Sequence, residues 1–213
     1  MNHETLRLGL IETAVAMNRC GLNQGTSGNL SSRCEGGMLI TPSGMDYSGL
    51  EPGDIVLVDA SGRPQGHRQP SSEWRIHQDI YAARTDALAI LHAHPTACTA
   101  LACLNRPIPA FHYMVAVAGG RHIPCAPYAT FGSQELSDGV VAALVGRKAC
   151  LMANHGLVCL AENLEKALAL AIEIETLART YLQALSVGEP VILDDAEMDR
   201  VLLKFRTYGV QDA

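Results

Sequence analysis

The sequence predicts an α/β fold: a single three-layer α/β/α domain over residues 1–213, with a central mixed sheet covered by helices on both faces. Three observations carry this expectation. Short strand patterns follow one another in the first third of the chain, with helical patterns before, between and after the strands. Two strand patterns, Ala87 to Leu91 and Ala149 to Ala153, are apolar at every position, as in strands buried on both faces. Finally, no Pro/Gly/Ser linker, repeat or low-complexity stretch divides the chain, and 213 residues suit one substantial core better than two.

The elements can be justified in order. Leu6, Leu10, Ile11, Ala14 and Met17 mark one face of an opening helix that Gly21 ends. The segment Asn23-Gln-Gly-Thr-Ser-Gly-Asn29 is rich in turn-forming residues. Strands follow at Leu30 to Arg33, Met38 to Thr41 and Ile55 to Asp59, the last two introduced by Gly36-Gly37 and Pro52-Gly53. Ser71 or Ser72 caps a helix from Glu73 to about Arg84. A strand from Ala87 to His94 runs into a helix begun by Pro95. A strand near Ile123, a helix capped by Ser133, and paired strands at Lys148 to Asn154 and Leu157 to Leu160 come next. Leu164, Leu168, Ala171, Ile174, Ala178, Tyr181 and Leu185 form the stripe of a long helix. Asp194 begins the last helix, with Glu197 where a capping-box acid is expected.

Composition excludes several function classes. Hydrophobic residues make up 48% and charged residues 18%, a globular balance. The formal charge of -6, with its sixteen basic residues thinly spread, gives no basis for binding nucleic acid or an anionic membrane surface. No apolar run reaches membrane-spanning length, and the N-terminus lacks a secretory pattern. Seven cysteines, at 20, 34, 98, 103, 125, 150 and 159, are odd in number and contain no Cys-x-x-Cys. They read as small reduced core residues, which places the protein in the cytoplasm.

The chemistry concentrates in a few residues. His92 and His94 close an apolar strand, and residues i and i+2 of a strand share a face, so both imidazoles project together. His155 stands in a turn between two apolar runs, and Glu73 opens a helical pattern. Taken singly, each has a plainer explanation: backbone-bonded histidines at a strand end, a turn histidine, a first-turn acid complementing the helix dipole. Together, two fixed imidazoles, a third and a carboxylate can complete a tetrahedral metal site that polarises oxygen. His77, one turn after Glu73, and His3 and His67, in polar surroundings, read as non-ligands. Thr26-Ser-Gly28-Asn29, Ser43-Gly44 and Ser71-Ser72 combine tight turns, a helix N-terminus and short hydroxyls, the ingredients of an anion cradle. None is a Walker motif or a dinucleotide fingerprint. Ser71-Ser72 abuts Glu73, so an anion held there would lie near the metal.

Longer blocks are Gly21-Leu-Asn-Gln-Gly-Thr-Ser-Gly-Asn29, Leu39-Ile-Thr-Pro-Ser-Gly44, Pro70-Ser-Ser-Glu-Trp-Arg75, His92-Ala-His94, Ile108-Pro-Ala-Phe-His-Tyr-Met114 and Ile123-Pro-Cys-Ala-Pro-Tyr-Ala-Thr-Phe-Gly132. In order and spacing, and on to Phe205-Arg-Thr-Tyr-Gly209, the chain resembles the class II sugar-phosphate aldolases of the fuculose-1-phosphate aldolase type. The resemblance implies the class II aldolase/epimerase fold with a largely antiparallel sheet. It implies one catalytic zinc on His92, His94 and His155. Cobalt or manganese are conceivable substitutes on imidazole ligands. Glu73 then matches the acid–base, which also approaches the metal when substrate is absent. Gly28, Asn29, Ser43, Gly44, Ser71 and Ser72 match phosphate-binding segments, with Thr26 adjoining. Tyr113 matches a tyrosine contributed across a subunit boundary to the aldehyde oxygen, and Tyr208 a second one on the C-terminal tail. Phe131 and Phe205 match the lining of the aldehyde side, and the assembly implied is a homotetramer with sites between subunits.

The implied reaction is reversible cleavage of a ketose 1-phosphate, through a metal-stabilised enediolate, to dihydroxyacetone phosphate and a short aldehyde. L-Fuculose 1-phosphate and 5-deoxy- or 5-methylthio-pentulose 1-phosphates are both compatible substrates. The related ketopentose 5-phosphate 4-epimerase and methylthioribulose-1-phosphate dehydratase are alternatives, as is a non-enzymatic scaffold on the same fold. Phe111-His-Tyr113 and the segment from Phe205 to Gly209 resemble the aldolase more than either enzyme, and a scaffold has no reason to keep three histidines, Glu73 and Tyr113 together. Departures from the bacterial fuculose enzyme are Ser43 for a threonine, Asn154 for a histidine, and a shorter, less basic end at Val210-Gln-Asp-Ala213.

Overall fold

A computed structural model describes residues 3–207. Its helices are α1 (His3–Arg19), α2 (Trp74–Ala83), α3 (Thr96–Cys103), α4 (Gln134–Ala143), α5 (Leu164–Val187) and α6 (Asp195–Phe205). Its strands are β1 (Asn29–Cys34), β2 (Gly37–Ile40), β3 (Val56–Asp59), β4 (Pro64–Gln65), β5 (Ala89–Ala93), β6 (Cys125–Ala126), β7 (Ala149–Met152) and β8 (Gly156–Ala161). They form one sheet in the order β4-β3-β2-β1-β5-β8-β7-β6. Every neighbouring pair is antiparallel except β6 and β7, so the sheet is mixed and largely antiparallel.

Side-chain alternation along the central strands divides the core in two. Leu30, Leu39, Ala89, Leu91, Leu151, Leu157 and Cys159 face one way, against Leu10, Ala14 and Met17 of α1, Leu101 of α3, Ile174 of α5 and Met198 of α6. Met38, Ile40, Val56, Val58, Ile90, Cys150, Met152, Val158 and Leu160 face the other way, against Ile76, Ile80 and Tyr81 of α2 and Leu136 and Val140 of α4. The double-sided apolar runs of β5 and β7 are thus explained, since every residue of both strands is buried. Register then brings the site together. Asn29 pairs with His92 and His92 pairs with Val158, so the start of β1, the end of β5 and the start of β8 share one edge of the sheet.

Several expected boundaries are corrected. The helix expected from Glu73 begins at Trp74; Glu73 is its cap residue, yet its side chain makes no bond to the helix. Ser71 Oγ instead accepts the Glu73 N–H at 3.3 Å. Pro95 precedes α3 rather than opening it, and His94 lies one residue beyond β5. Ile123 pairs only as an isolated bridge with Ile108, the strand following at Cys125–Ala126. Asp194 does cap α6 by accepting the Glu197 N–H, but the Glu197 carboxylate pairs with Arg200 instead of closing a capping box. A nearby Arg draws the carboxylate outward more strongly than one neutral N–H draws it back. Ser133 caps α4 as expected, accepting from Leu136 N–H at 3.1 Å. The expectations that fall on residues 208–213, Tyr208 among them, lie outside the described residues.

The N-terminus of α3 follows the His92-Ala-His94 segment directly. Its cap, Pro95, has no side-chain acceptor, so the free N–H groups of the first turn need one from elsewhere. Glu175 of α5, buried to 6% exposure, supplies it: its two oxygens accept from Ala97 N–H and Cys98 N–H, each at 2.9 Å. Glu175→Ala would leave both donors buried and unpaired. A loss of about 2–4 kcal/mol is expected in urea denaturation, with Glu175→Gln losing roughly half as much. An Ala variant within about 0.5 kcal/mol of the parent would show that this cap contributes nothing.

Candidate active site

The three histidines arrive from separate places: His92 in β5, His94 just beyond it, and His155 in the turn between β7 and β8. Their ring centroids lie 4.7 Å apart for His92 and His94 and 4.9 Å for each other pair. Among the described residues, these three form the one cluster with metal-ligating geometry, one nitrogen from each lying within 4.8 Å of the others. Gly156 permits the approach of His155, because a Cβ at residue 156 would stand 2.5 Å from Ala93 O and 2.8 Å from His94 Cδ2. Asn154, before it, adopts φ 55°, a left-handed conformation that asparagine tolerates better than most residues.

Glu73 completes the cluster from the start of α2. Its Oε2 lies 3.1 Å from His92 Nε2 and its Oε1 lies 3.2 Å from His155 Nε2. His92 Nδ1 sits 2.9 Å from Leu157 O, and a carbonyl only accepts, so Nδ1 carries the proton and the Nε2 lone pair faces inward. That nitrogen is only 2.9 Å from His94 Nε2. Glu73 Oε1 is buried with no hydrogen-bond donor. Its approach to His155 Nε2 is therefore a contact between two atoms able to serve as ligands. Lone pairs converging on one point, three of nitrogen and one of carboxylate oxygen, fit a divalent cation.

The same contacts shift the protonation of all four groups. Burial alone would raise the Glu73 carboxyl, but the charge of His92, its hydrogen bond, His155 and the Asn29 amide hold it well below the usual carboxylate range. His92 is raised: burial opposes its protonation, and the adjacent Glu73 carboxylate outweighs burial. Burial first, and then the neighbouring imidazoles, push His94 and His155 down to about 4, so both stay neutral donors near pH 7.

A cavity of about 390 Å³ opens over this cluster. Its lining contains Thr26, Gly28, Asn29, Ser43, Gly44, Ser71, Ser72 and Phe131, together with Glu73, His94 and His155. Among the described residues no lysine or arginine lines it, so an anion there relies on hydroxyls, N–H groups and the positive end of α2. The N–H groups of Ser43 and Ser71 are already bonded to Gln69 O and Thr41 O, which leaves those two residues their hydroxyls to offer. Gly28 is held by Tyr47, whose hydroxyl donates to Gly28 O at 2.7 Å.

Tyr113 is not brought to this cavity. It is 52% exposed and lines a second groove with Phe111, Met114, Leu193 and Phe205. Phe205 thereby stands with Tyr113, and only Phe131 of the two expected phenylalanines lines the first cavity. His77 is absent from the cluster of ligating nitrogens, in line with its reading as a non-ligand. Sequence reasoning missed what it does touch: His77 is fully buried, with Nε2 2.6 Å from Asn29 Oδ1 and Nδ1 2.7 Å from Ser31 Oγ. Burial, and then the charge of His92, push its imidazole down to about 3. The signal available was the one-turn spacing Glu73, His77, Tyr81 along an otherwise apolar helix face. Tyr128, which also lines the cavity, was not singled out, although it lies within the Ile123 to Gly132 block.

The three histidines form a group able to hold a metal ion. Residues 9–182 match the Class II Aldolase and Adducin N-terminal domain family, to which this chain belongs. It is 54% identical to the 5-methylthioribulose-1-phosphate/5-deoxyribulose-1-phosphate aldolase of Rhodospirillum rubrum, covering 96% of this chain and 92% of that one. It is 51% identical to the L-fuculose phosphate aldolase of Escherichia coli K12, covering 99% of each. Among solved structures, an L-fuculose 1-phosphate aldolase superposes with a TM-score of 0.92 at 43% identity, over 95% of this chain and 96% of that chain. The class II aldolase fold expected from the motifs is the fold observed.

Gly28 adopts φ 78°, and a Cβ there would lie 2.7 Å from His92 O and 2.8 Å from Asn23 Oδ1. Gly28→Ala should therefore combine backbone strain with overpacking and cost about 2–4 kcal/mol in urea denaturation. Gly44→Ala is the control: at φ 68°, with nothing within 4 Å of its Cβ, it carries strain alone, about 1 kcal/mol. Equal losses in the two variants would rule out the contact with His92 O as the constraint on Gly28.

Proposed function

We propose that this chain is a divalent-metal-dependent aldolase that reversibly cleaves a ketose 1-phosphate into dihydroxyacetone phosphate and a short aldehyde. The observation that carries this reading is the convergence of three imidazoles and the Glu73 carboxylate on the floor of an anion-sized, hydroxyl-lined cavity. The relatives' names add the substrate class. Those named for fuculose phosphate and those named for deoxyribulose or methylthioribulose phosphate resemble this chain to similar degrees. On L-fuculose 1-phosphate the aldehyde is lactaldehyde; on the pentulose phosphates it is acetaldehyde or its methylthio analogue.

His92, His94 and His155 would hold the ion, with Glu73 as a displaceable fourth ligand. Zinc suits this set best, and cobalt or manganese can substitute. Bound there, the metal would supply Lewis acidity to the C2 carbonyl and C3 hydroxyl oxygens of the dihydroxyacetone phosphate half. Thr26, Gly28, Asn29, Ser43, Gly44, Ser71 and Ser72 grip the phosphate and so fix C2 and C3 over the histidines. Glu73 handles the proton at C3, delivering it in cleavage and removing it in condensation. Phe131 borders the aldehyde. Tyr113, exposed on its own subunit, acts at the C4 oxygen in a neighbour's site; Tyr208 is the second catalytic tyrosine of this reading, and the working unit is a homotetramer. All 213 residues serve as one domain. The seven cysteines are free thiols, as suits a cytoplasmic setting, and no helix among the described residues is long and apolar enough to cross a membrane.

Chelation should abolish cleavage of a ketose 1-phosphate panel, and zinc should restore it; full turnover in protein shown to be metal-free would sink the mechanism. Glu73→Gln should keep its metal while solvent exchange of the C3 proton of dihydroxyacetone phosphate falls about 10²–10⁴-fold. His94→Ala should instead lose metal, read by elemental analysis. Parent-like exchange in metal-replete Glu73→Gln would remove Glu73 as the base.

Shared sites make a separate prediction. Tyr113→Phe and His92→Ala variants, each impaired alone, should regain activity when mixed into hybrid oligomers. Verified hybrids with no recovered turnover, or an active monomer, would contradict a tyrosine donated between subunits.

A further inference from the structure

We infer that His77 is a positioning residue for the proton-transferring carboxylate: its imidazole locks the Asn29 side-chain amide, and that amide in turn decides which Glu73 oxygen is held and which is free to carry the proton. The inference rests on Glu73 as the acid–base at C3. Donor and acceptor roles follow from chemistry alone. Glu73 Oε2 as a carboxylate can only accept, so the Asn29 group 3.0 Å away is its Nδ2. Asn29 Oδ1 then faces His77 Nε2 at 2.6 Å, and an amide oxygen also only accepts, so Nε2 carries the imidazole proton. His77 Nδ1 must accept, and Ser31 Oγ, 2.7 Å away, donates to it. Ser31, its own proton used, accepts from Tyr81 OH at 2.9 Å.

The result is a one-way chain of donors, Tyr81 to Ser31 to His77 to Asn29 to Glu73. Its members other than Glu73 and Asn29 line no part of the cavity. Asn29 and Ser31 are i and i+2 on one face of β1, and His77 and Tyr81 are i and i+4 on the facing side of α2. Strand and helix thus meet through matched polar pairs inside an apolar layer. An asparagine amide at the edge of a cavity can rotate by 180° at little steric cost. If this one did, Oδ1 would confront the carboxylate and repel it. The Nε2–H of His77 forbids that rotation. With Oε2 held by Asn29, Oε1 is the oxygen that lacks a donor, so Oε1 is the one available for the C3 proton.

The test compares His77→Leu with His77→Gln, whose amide nitrogen reproduces the Nε2 donor. At matched metal content, C3 proton exchange of dihydroxyacetone phosphate should fall about 10–100-fold in His77→Leu. KM for the same compound should stay within about threefold, and His77→Gln should recover most of the rate. An independent readout uses metal-depleted protein: ¹⁵N-histidine spectra should show His77 as the Nε2–H tautomer near pH 7. That measurement stands even where His77→Leu fails to fold. An Nδ1–H tautomer, unchanged exchange in folded His77→Leu, or no rescue by glutamine would each overturn the inference. Lost exchange in Glu73→Gln alongside unchanged exchange in His77→Leu would sink the positioning role alone. Unchanged exchange in Glu73→Gln would sink the reading beneath it.

Discussion

One nitrogen from each of three imidazoles lies within 4.8 Å of the others, with the Glu73 carboxylate against two of them, and the surrounding structure is organised to tolerate that crowding. Like-polarity atoms do not gather unaided; the sheet compels them. Asn29, His92 and Val158 stand side by side across β1, β5 and β8, so a register slip in either pairing would remove His92 from Glu73 and turn it toward the opposite core. Both flanking strands are buried on two faces, which specifies their register strongly. The apolar strands are therefore the means by which the polar cluster keeps its geometry.

Helix α2 shows what the arrangement costs locally. Its cap residue is a glutamate that leaves the helix's first N–H groups without a side-chain acceptor and turns inward to the histidines. The cost falls where the proposed ligand can repay it, because an anion at Ser71 and Ser72 meets the same end of the helix. α3 solves the same problem differently. It borrows the buried carboxylate of Glu175, which anchors the helix immediately after the histidine pair. One helix start is left open toward the cavity and the other is closed from behind, and the segment carrying His92 and His94 is gripped at both ends.

Much of this was legible in the sequence, and the parts that were not share a cause. A 3.6-residue period marked α1 and α5, caps or a proline marked the other helices, and uninterrupted apolar runs marked β5 and β7, because burial acts directly on residue type. Ser133 and Asp194 were legible as caps because a cap is a local interaction. His92, His94, His155 and Glu73 were legible as a set because ligating residue types are few. The errors arose where a group took a partner other than the expected one: Glu197 the nearby Arg200, and, across the fold, Glu73 the histidines and the N–H groups after Pro95 Glu175. His77 is the clearest case. As a non-ligand it was read correctly, but its contact with Asn29 exists only once β1 is laid against α2. No spacing along the chain states that pairing; the repeat Glu73, His77, Tyr81 merely hints at it.

The separation of the two grooves bears on why relatives at similar identity carry different substrate names. On the proposed reading, everything that contacts the phosphate, C2 and C3 lies within one subunit and is tied to the sheet by paired strands, Tyr47 and the His77 chain. Of the groups assigned to the aldehyde, Phe131 lines the first cavity, whereas Tyr113 and Phe205 sit in the second groove beside α6. α6 carries mainly exposed residues and is fastened partly by surface ion pairs, from Arg121 to Asp195 and Asp199. Such pairs contribute little stability and tolerate change. A change of aldehyde can then be met by adjustment at this loosely held face, whereas any change in the dihydroxyacetone phosphate half would disturb strand register and the metal donors together. Divergence of substrate at constant chemistry is the outcome this division of the scaffold favours.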